Sequence, residues 1–186
     1  MVGLEEFDAS FFRVSVSEAR QMDPQQRVLL EAGYAALADG GLFKRELAHS
    51  LVGVFVGIQV GEYAALVARD REPGPYTATG GSAAISANRL SYALGLEGPS
   101  ISVDTACSSA LVALDSSQHS LFSGSCTTGL VATASVLLSP GSFVATCKAH
   151  MLSPKGRCHT FDSGADGYAR SEGGCAVMIQ PGGPAT

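Results

Sequence analysis

The chain has 186 residues, of which 46% are hydrophobic and 16% are charged, a composition typical of one soluble globular domain. Its formal net charge of −5, with basic residues scattered along the chain, argues against a surface that binds nucleic acid. The cysteines are widely spaced and include no Cys-x-x-Cys pair, so neither a disulfide framework nor a zinc site is predicted. A reducing compartment, the cytoplasm or an organelle stroma, is the corresponding expectation.

The amino-terminal segment has neither the basic start nor the apolar core of a secretory signal, and its acidic residues are atypical of a transit peptide. The longest apolar stretch, residues 51–60, is interrupted by glycine and has roughly half the length that a membrane-spanning helix needs. We therefore expect no membrane span and interpret this stretch as a buried strand.

The first well-marked element is a helix that begins after Asp23. Asp23 is placed as its N-cap, Pro24 lies in its first turn, and Gln26 occupies the capping-box position. The glycine pair at 40–41 predicts its end.

A β–α step follows. Apolar residues alternate with glycine and phenylalanine over 52–58, which predicts a strand, and 62–69 has the spacing of a short helix. The prolines and glycines of 73–81 predict a loop. Helical spacing resumes over 83–94, with Gly95 as its C-cap.

Cys107 lies where an alternating apolar strand, with Ile101 and Val103, turns abruptly into a helix of small residues. This pattern predicts a nucleophile elbow, in which small neighbours permit a sharp turn and the sulfur lies over the unpaired N–H groups of a helix start. The helix dipole there favours the thiolate, which can be acylated. The alternative is that Cys107 is a small buried hydrophobe.

Beyond this helix, 130–136 has the pattern of a buried strand, 140–150 that of a helix, and 175–179 that of a last strand. The alternation of strands and helices along the chain predicts a layered α/β domain.

Two sets of polar residues receive structural interpretations. The histidines show no metal-ligand spacing, so none is assigned to a metal or to catalysis. The charged residues before the last strand are interpreted as an ion-paired turn rather than a catalytic acid–base pair. The histidines are His49, His119, His150 and His159, and the charged residues are Asp162, Asp166, Arg170 and Glu172.

The segment around Cys107, Asp-Thr-Ala-Cys-Ser-Ser at 104–109, resembles the active-site signature of β-ketoacyl synthases, specifically the ketosynthase domains of type I polyketide synthases. Further landmarks of that family occur in the expected order along almost the whole chain. They lie at 7–12, 22–27, 53–57, 88–92, 151–158 and 165–173.

The resemblance implies a fold: the amino-terminal half of the thiolase-like fold, with residues 1–186 forming a partial domain. This partial domain is expected to lack the family's first strand and its carboxy-terminal half, which in the family supplies two catalytic histidines, a lysine and a second oxyanion-hole contact. Half a fold leaves an apolar face uncovered. We expect the missing half, a second copy of the chain in a homodimer, or another protein to cover it.

The resemblance also implies an activity. Cys107 would accept an acyl group from the phosphopantetheine thioester of an acyl carrier protein, with its own backbone N–H in the oxyanion hole and without a further cofactor or metal. In the complete domain, decarboxylative Claisen condensation for polyketide or fatty-acid synthesis would follow. Residues 127–129 with 134–135, and residues 171–175, depart from the family pattern by placing side chains where glycine is usual. The alternative hypothesis is a non-catalytic subunit of a larger assembly, derived from a ketosynthase.

Overall fold

A computed structural model describes residues 4–59, 62–70 and 72–182 of the chain. Its centre is a mixed sheet with the strand order β2-β1-β3-β4. β1 is parallel to both β2 and β3, whereas β4 is antiparallel to β3. The strands are β1 (Val52–Gly57), β2 (Ser100–Val103), β3 (Thr128–Ser135) and β4 (Gly173–Ile179).

Helices connect these strands and flank the sheet. In chain order, the helices of the described ranges are α1 (Val16–Ala19), α2 (Pro24–Asp39), α3 (Lys44–Leu47), α4 (Glu62–Asp70), α5 (Thr77–Gly80), α6 (Ala83–Leu94), α7 (Ser109–Phe122) and α8 (Pro140–Lys148), with a 3-10 turn at Ala106–Ser108. None of them is both long and apolar enough to span a bilayer. The predicted layered α/β architecture is confirmed.

Several predicted boundaries agree closely with the structure. α6 covers the predicted residues 83–94, and Gly95 ends it in the left-handed conformation with φ of 71°. In the predicted strand 52–58, β1 ends at Gly57. The predicted helix 140–150 ends at Lys148.

The predicted loop 73–81 is wrong in part, because it contains α5. A Cβ added at Gly80 would lie 1.8 Å from the carbonyl oxygen of Gln21, so α5 packs directly against the segment before α2. Tertiary packing thus favours a helical turn where the local composition favours a loop.

Asp23 caps α2 as predicted, since its carboxylate accepts a hydrogen bond from the N–H of Gln25 at 2.8 Å. The predicted capping-box role of Gln26 is wrong. Its side chain donates to the carbonyl oxygen of Thr79 at 3.1 Å, and the Asp23 N–H donates to the carbonyl oxygen of Gly80 at 2.9 Å. The polar groups at the start of α2 find their partners across the fold because α5 lies beside them.

The sheet carries a large core on one side and a small one on the other. α2 and α6 cover one side, where alternate residues of β1 and β3 are fully buried. On the other side α7 packs on β1 and β3, and four buried residues form the core there. These four are Phe55, Ala113, Cys126 and Val131.

The outer side of α7 is bare. Leu111 is 71% exposed and Phe122 is 81% exposed, whereas Ala113 and Ser117, which face the sheet, are buried. Asp115 and Gln118 are exposed on the same side of α7, so this side carries polar residues between two large apolar ones. The described residues therefore leave two large apolar side chains of α7 uncovered.

Candidate active site

Cys107 lies at the carboxyl edge of the sheet. The chain leaves β2 at Val103, passes through the 3-10 turn Ala106–Ser108 and enters α7 at Ser109. The predicted order of strand, cysteine and helix is thus present, with a separate 3-10 turn between strand and helix. In open sheets with parallel strands, this edge is where ligands and reacting groups gather.

The environment of Cys107 differs from that of a buried structural thiol. Cys107 is exposed, whereas Cys126 is only 2% exposed in the small core beneath α7. Burial raises the pKa of the Cys126 thiol, although a hydrogen bond from Gly53 opposes the rise. Cys126, and not Cys107, matches the buried hydrophobe that was the alternative interpretation.

The turn before Cys107 has an unusual backbone. Ala106 has φ of 57°, the left-handed region that glycine occupies most readily. Asp104 Oδ1 accepts a hydrogen bond from the Ala106 N–H at 3.0 Å. Ser108 Oγ donates to the Thr105 carbonyl oxygen at 2.8 Å, and Ser109 Oγ makes two further hydrogen bonds across the turn. The side chains around Cys107 therefore support the turn as well as leaving room for it.

The start of α7 lies directly on the end of β1. A Cβ added at Gly57 would lie 2.7 Å from the backbone N of Ala110 and 2.7 Å from the carbonyl carbon of Ser109. A side chain does not fit there without a backbone shift. Steric room thus matters at Gly57, Ser109 and Ala110, while Ala106 and Ser108 are exposed.

A second polar cluster lies at the same edge. Glu62, at the start of α4 beyond β1, accepts hydrogen bonds from the N–H of Leu138 at 2.7 Å and from Ser142 Oγ. Its carboxylate also pairs with Arg170 at 3.4 Å, and both side chains are largely buried. Burial alone would raise the pKa of Glu62, but the hydrogen bonds from Ser142, Ser139 and Leu138 and the charge of Arg170 together hold that pKa below its ordinary value.

The predicted ion-paired turn before β4 is corrected by these contacts. Arg170 pairs with Glu62 of α4, and Asp166 pairs with Lys155 at 3.3 Å, so both of these partners lie outside the predicted set. Asp162 accepts a hydrogen bond from the Gly164 N–H at 2.7 Å, which closes a local turn. The sequence carries no local signal for Glu62 as a partner, because it lies far away along the chain.

Two of the four histidines lie beside carboxylates of their own surroundings. His49 Nδ1 lies 2.6 Å from Glu97, and His119 Nδ1 lies 3.5 Å from Asp115. Among the described residues, no group of three or more His, Cys, Asp or Glu could hold a metal ion. An open groove of about 530 Å³, lined by His49, Tyr92 and Ser100 among others, lies at the opposite end of β2 from Cys107.

Residues 1–184 match the family model described as the amino-terminal domain of β-ketoacyl synthase. The chain belongs to the β-ketoacyl synthase family. Two solved ketosynthase structures agree with this assignment. The ketosynthase from module 6 of the Bacillus subtilis bacillaene synthase is similar with a TM-score of 0.88 and 39% identity, over 97% of this chain and 31% of that one. The oxazolomycin ketosynthase domain from Streptomyces albus is similar with a TM-score of 0.84 and 35% identity, over 94% of this chain and 30% of that one.

Curated relatives of this β-ketoacyl synthase chain include fungal polyketide synthases. The highly reducing polyketide synthase acrA of Aspergillus aculeatus is 46% identical over 95% of the chain. Tenellin synthetase of Beauveria bassiana is 45% identical over 95% of the chain. The chain spans only 7% and 4% of these two proteins. The predicted family and thiolase-like fold are confirmed.

Proposed function

We propose that this chain forms the amino-terminal half of a ketosynthase domain in a polyketide synthase, and that Cys107 is its acyl-accepting nucleophile. The observation that supports this role is the exposed Cys107 in a hydrogen-bonded turn between β2 and α7, within a chain that matches the family from end to end. The resemblance at 104–109 assigns the nucleophile to this position.

The proposed first step is a thioester exchange. The Cys107 thiolate attacks the carbonyl carbon of an acyl group carried on the phosphopantetheine of an acyl carrier protein. The negative charge that develops on the carbonyl oxygen is stabilised by the backbone N–H of Cys107. The bond to the carrier sulfur then breaks, the carrier thiolate takes up a proton, and the acyl group remains on Cys107.

The proposed second step needs groups outside this chain. In the family, decarboxylative condensation with an extender unit uses histidines of the carboxy-terminal half, and none of the four histidines here is assigned to that role. We also propose that this half covers the bare outer side of α7. In support, Leu111 and Phe122 are exposed there, and the chain spans less than a third of the ketosynthase structures that it resembles. A homodimer is the further partner that the resemblance implies.

Selective acylation tests the proposal in the full polypeptide that carries this chain. We expect an acyl thioester of pantetheine to modify Cys107 in preference to Cys147, Cys158 and Cys175, which are exposed as well. A Cys107→Ala variant should lose the label, while Cys147→Ala, the matched control, should keep it. Peptide mass spectrometry locates the acyl group.

Equal or absent labelling at Cys107 would contradict the proposal. That result would favour the alternative, a non-catalytic subunit derived from a ketosynthase. Loss of the label in the Cys147→Ala variant would have the same meaning, because it would place the reactive thiol elsewhere.

A further inference from the structure

We infer that Ser109 is a positioning residue for Cys107, and that its hydroxyl fixes the turn from which the sulfur projects. This inference rests on the proposed function of Cys107 and adds a role for a residue that does not itself react. Ser109 is the first residue of α7 and is only 4% exposed. A buried hydroxyl needs hydrogen-bond partners, and those of Ser109 all belong to the turn before Cys107.

The two hydrogen bonds of the Ser109 hydroxyl span Ala106, whose carbonyl oxygen also accepts from the Ser109 N–H. Its Oγ accepts from the N–H of Thr105 at 2.8 Å and donates to the carbonyl oxygen of Ala106 at 2.7 Å. One hydroxyl thus ties down the backbone on both sides of Ala106. The second of these bonds is made by the peptide group that joins Ala106 to Cys107, so it bears directly on the orientation of Cys107.

Ala106 needs such support. A side chain in the left-handed region is disfavoured by a clash of Cβ with the backbone, and such conformations persist where the surroundings determine them. Ala106 has φ of 57°. Its N–H is also held by Asp104 Oδ1 at 3.0 Å, so side chains from both ends of the turn fix this residue.

Ser109 itself has a firm position. The carbonyl carbon of Ser109 would lie 2.7 Å from a Cβ at Gly57, which places the first turn of α7 in direct contact with the end of β1. The hydroxyl therefore couples the turn to the sheet. A nucleophile must approach its target atom within a narrow range of position and angle, and a displacement of about 1 Å can cost roughly a hundredfold in rate.

Acylation kinetics of the full polypeptide test this inference. Ser109→Ala should lower the rate constant for acylation of Cys107 at saturating acyl thioester by roughly ten- to a hundredfold. The KM should change little, because the Ser109 side chain is buried beneath the turn. Alkylation by iodoacetamide, a small reagent without a docking requirement, should be affected less than acylation.

Ser117→Ala is the matched control. Ser117 lies on the same helix two turns further along, is fully buried, and has a hydroxyl for which no hydrogen-bond partner is found. The same substitution there should leave the acylation rate within about twofold of the native rate, because it removes no hydrogen bond. If Ser109→Ala does not fold, the double variant Ser109→Ala with Ala106→Gly decides, since glycine adopts the left-handed conformation of residue 106 without support and should restore acylation to within a few-fold of the native rate.

The outcomes separate this inference from the proposed function. If native Cys107 is not acylated, the proposed function fails. If it is acylated and Ser109→Ala matches Ser117→Ala, the positioning role is wrong. A folded double variant of Ser109→Ala with Ala106→Gly that acylates as slowly as Ser109→Ala, or tenfold below native where Ser109→Ala alone does not fold, would overturn it as well.

Discussion

On one side of the sheet, α2 and α6 cover a continuous core in which Leu30, Leu90 and Leu130 have no exposed surface. On the other side, α7 covers a small core and then presents Leu111 and Phe122 to the exterior. The side with α2 and α6 has the composition and burial of a finished domain. The side with α7 leaves large apolar side chains exposed among polar ones.

This difference shows which contacts support the active-site turn. Ser109 and Ala110 rest on Gly57 of the sheet, so the inner side of α7 is fixed by contacts within this chain. Its outer side has no comparable contact among the described residues. We therefore expect the chain alone to define the backbone around Cys107 and the rest of the proposed domain to bury α7.

The largest expected effects come from leucine-to-alanine substitutions in the full polypeptide. Leu30→Ala, on the α2 side, should lower the free energy of unfolding by about 2–5 kcal/mol because it leaves a cavity in a closed core. Leu111→Ala should fall in the same range if α7 is covered as proposed. Urea unfolding measures both changes, with the resistance of this chain's residues to proteolysis as the signal.

Val16→Ala is the control for these two variants. Val16 is 64% exposed on α1, away from α7, and its truncation should change the free energy of unfolding by at most about 0.5 kcal/mol. If Leu111→Ala behaves like Val16→Ala, the outer side of α7 is a true surface, and the comparison between the two sides no longer implies a missing cover.

A smaller effect is expected where α7 meets the sheet. Gly57→Ala places a methyl group 2.7 Å from the backbone of Ser109 and Ala110, and overpacking of this kind costs about 1–3 kcal/mol. Because the shift falls on the residues that hold the turn, acylation of Cys107 should slow as well. Gly173→Ala, in β4, is the control, since a Cβ there meets no atom within 4 Å.

Thermal unfolding and the rate of Cys107 acylation together decide this prediction. A Gly57→Ala variant that is destabilised yet acylates at the native rate would show that the inner contact of α7 stabilises the fold without positioning the sulfur. An unchanged melting temperature would show that α7 can shift away from β1 at this point without loss of stability.

The sequence was a good guide where the structure depends on local patterns. The alternation in β1, the helix at 83–94 with its left-handed Gly95, and the strand, turn and helix around Cys107 all follow from short-range rules. Sequence spacing alone could not show that Gln26 bonds to Thr79, or that Glu62 receives Arg170, because those partners are distant along the chain.

Ser109 illustrates the same limit within the active-site motif. The sequence suggested that the small residues beside Cys107 serve to leave room. The structure shows that the Ser109 hydroxyl bonds to two backbone groups of the turn, and that the tightest steric contact lies at Gly57 of another strand. A residue type with two physical uses, small volume and hydrogen bonding, cannot be assigned to either one from its letter alone.

The smallest expected effect concerns Glu62, which links α4 to α8 and to Arg170 at the same edge as Cys107. Its pKa is lower in the folded chain than its ordinary value of 4.5, so its contribution is fully present above that value and is lost as pH falls through the folded-state pKa. Glu62→Gln should cost about 1 kcal/mol at neutral pH. Below pH 4.5 it should cost progressively less.

Asp23, on the α2 side, has the opposite effect on how stability depends on pH. Burial raises the pKa of its carboxyl group, which hydrogen bonds from Gln25 only partly offset, so protonation stabilises the folded state there. In urea titrations between pH 3 and pH 7, Glu62→Gln should therefore flatten the acid loss of stability, and Asp23→Asn should steepen it. Equal slopes for the two variants would mean that neither carboxylate contributes to the difference between the two regions, and that acid unfolding is controlled elsewhere in the chain.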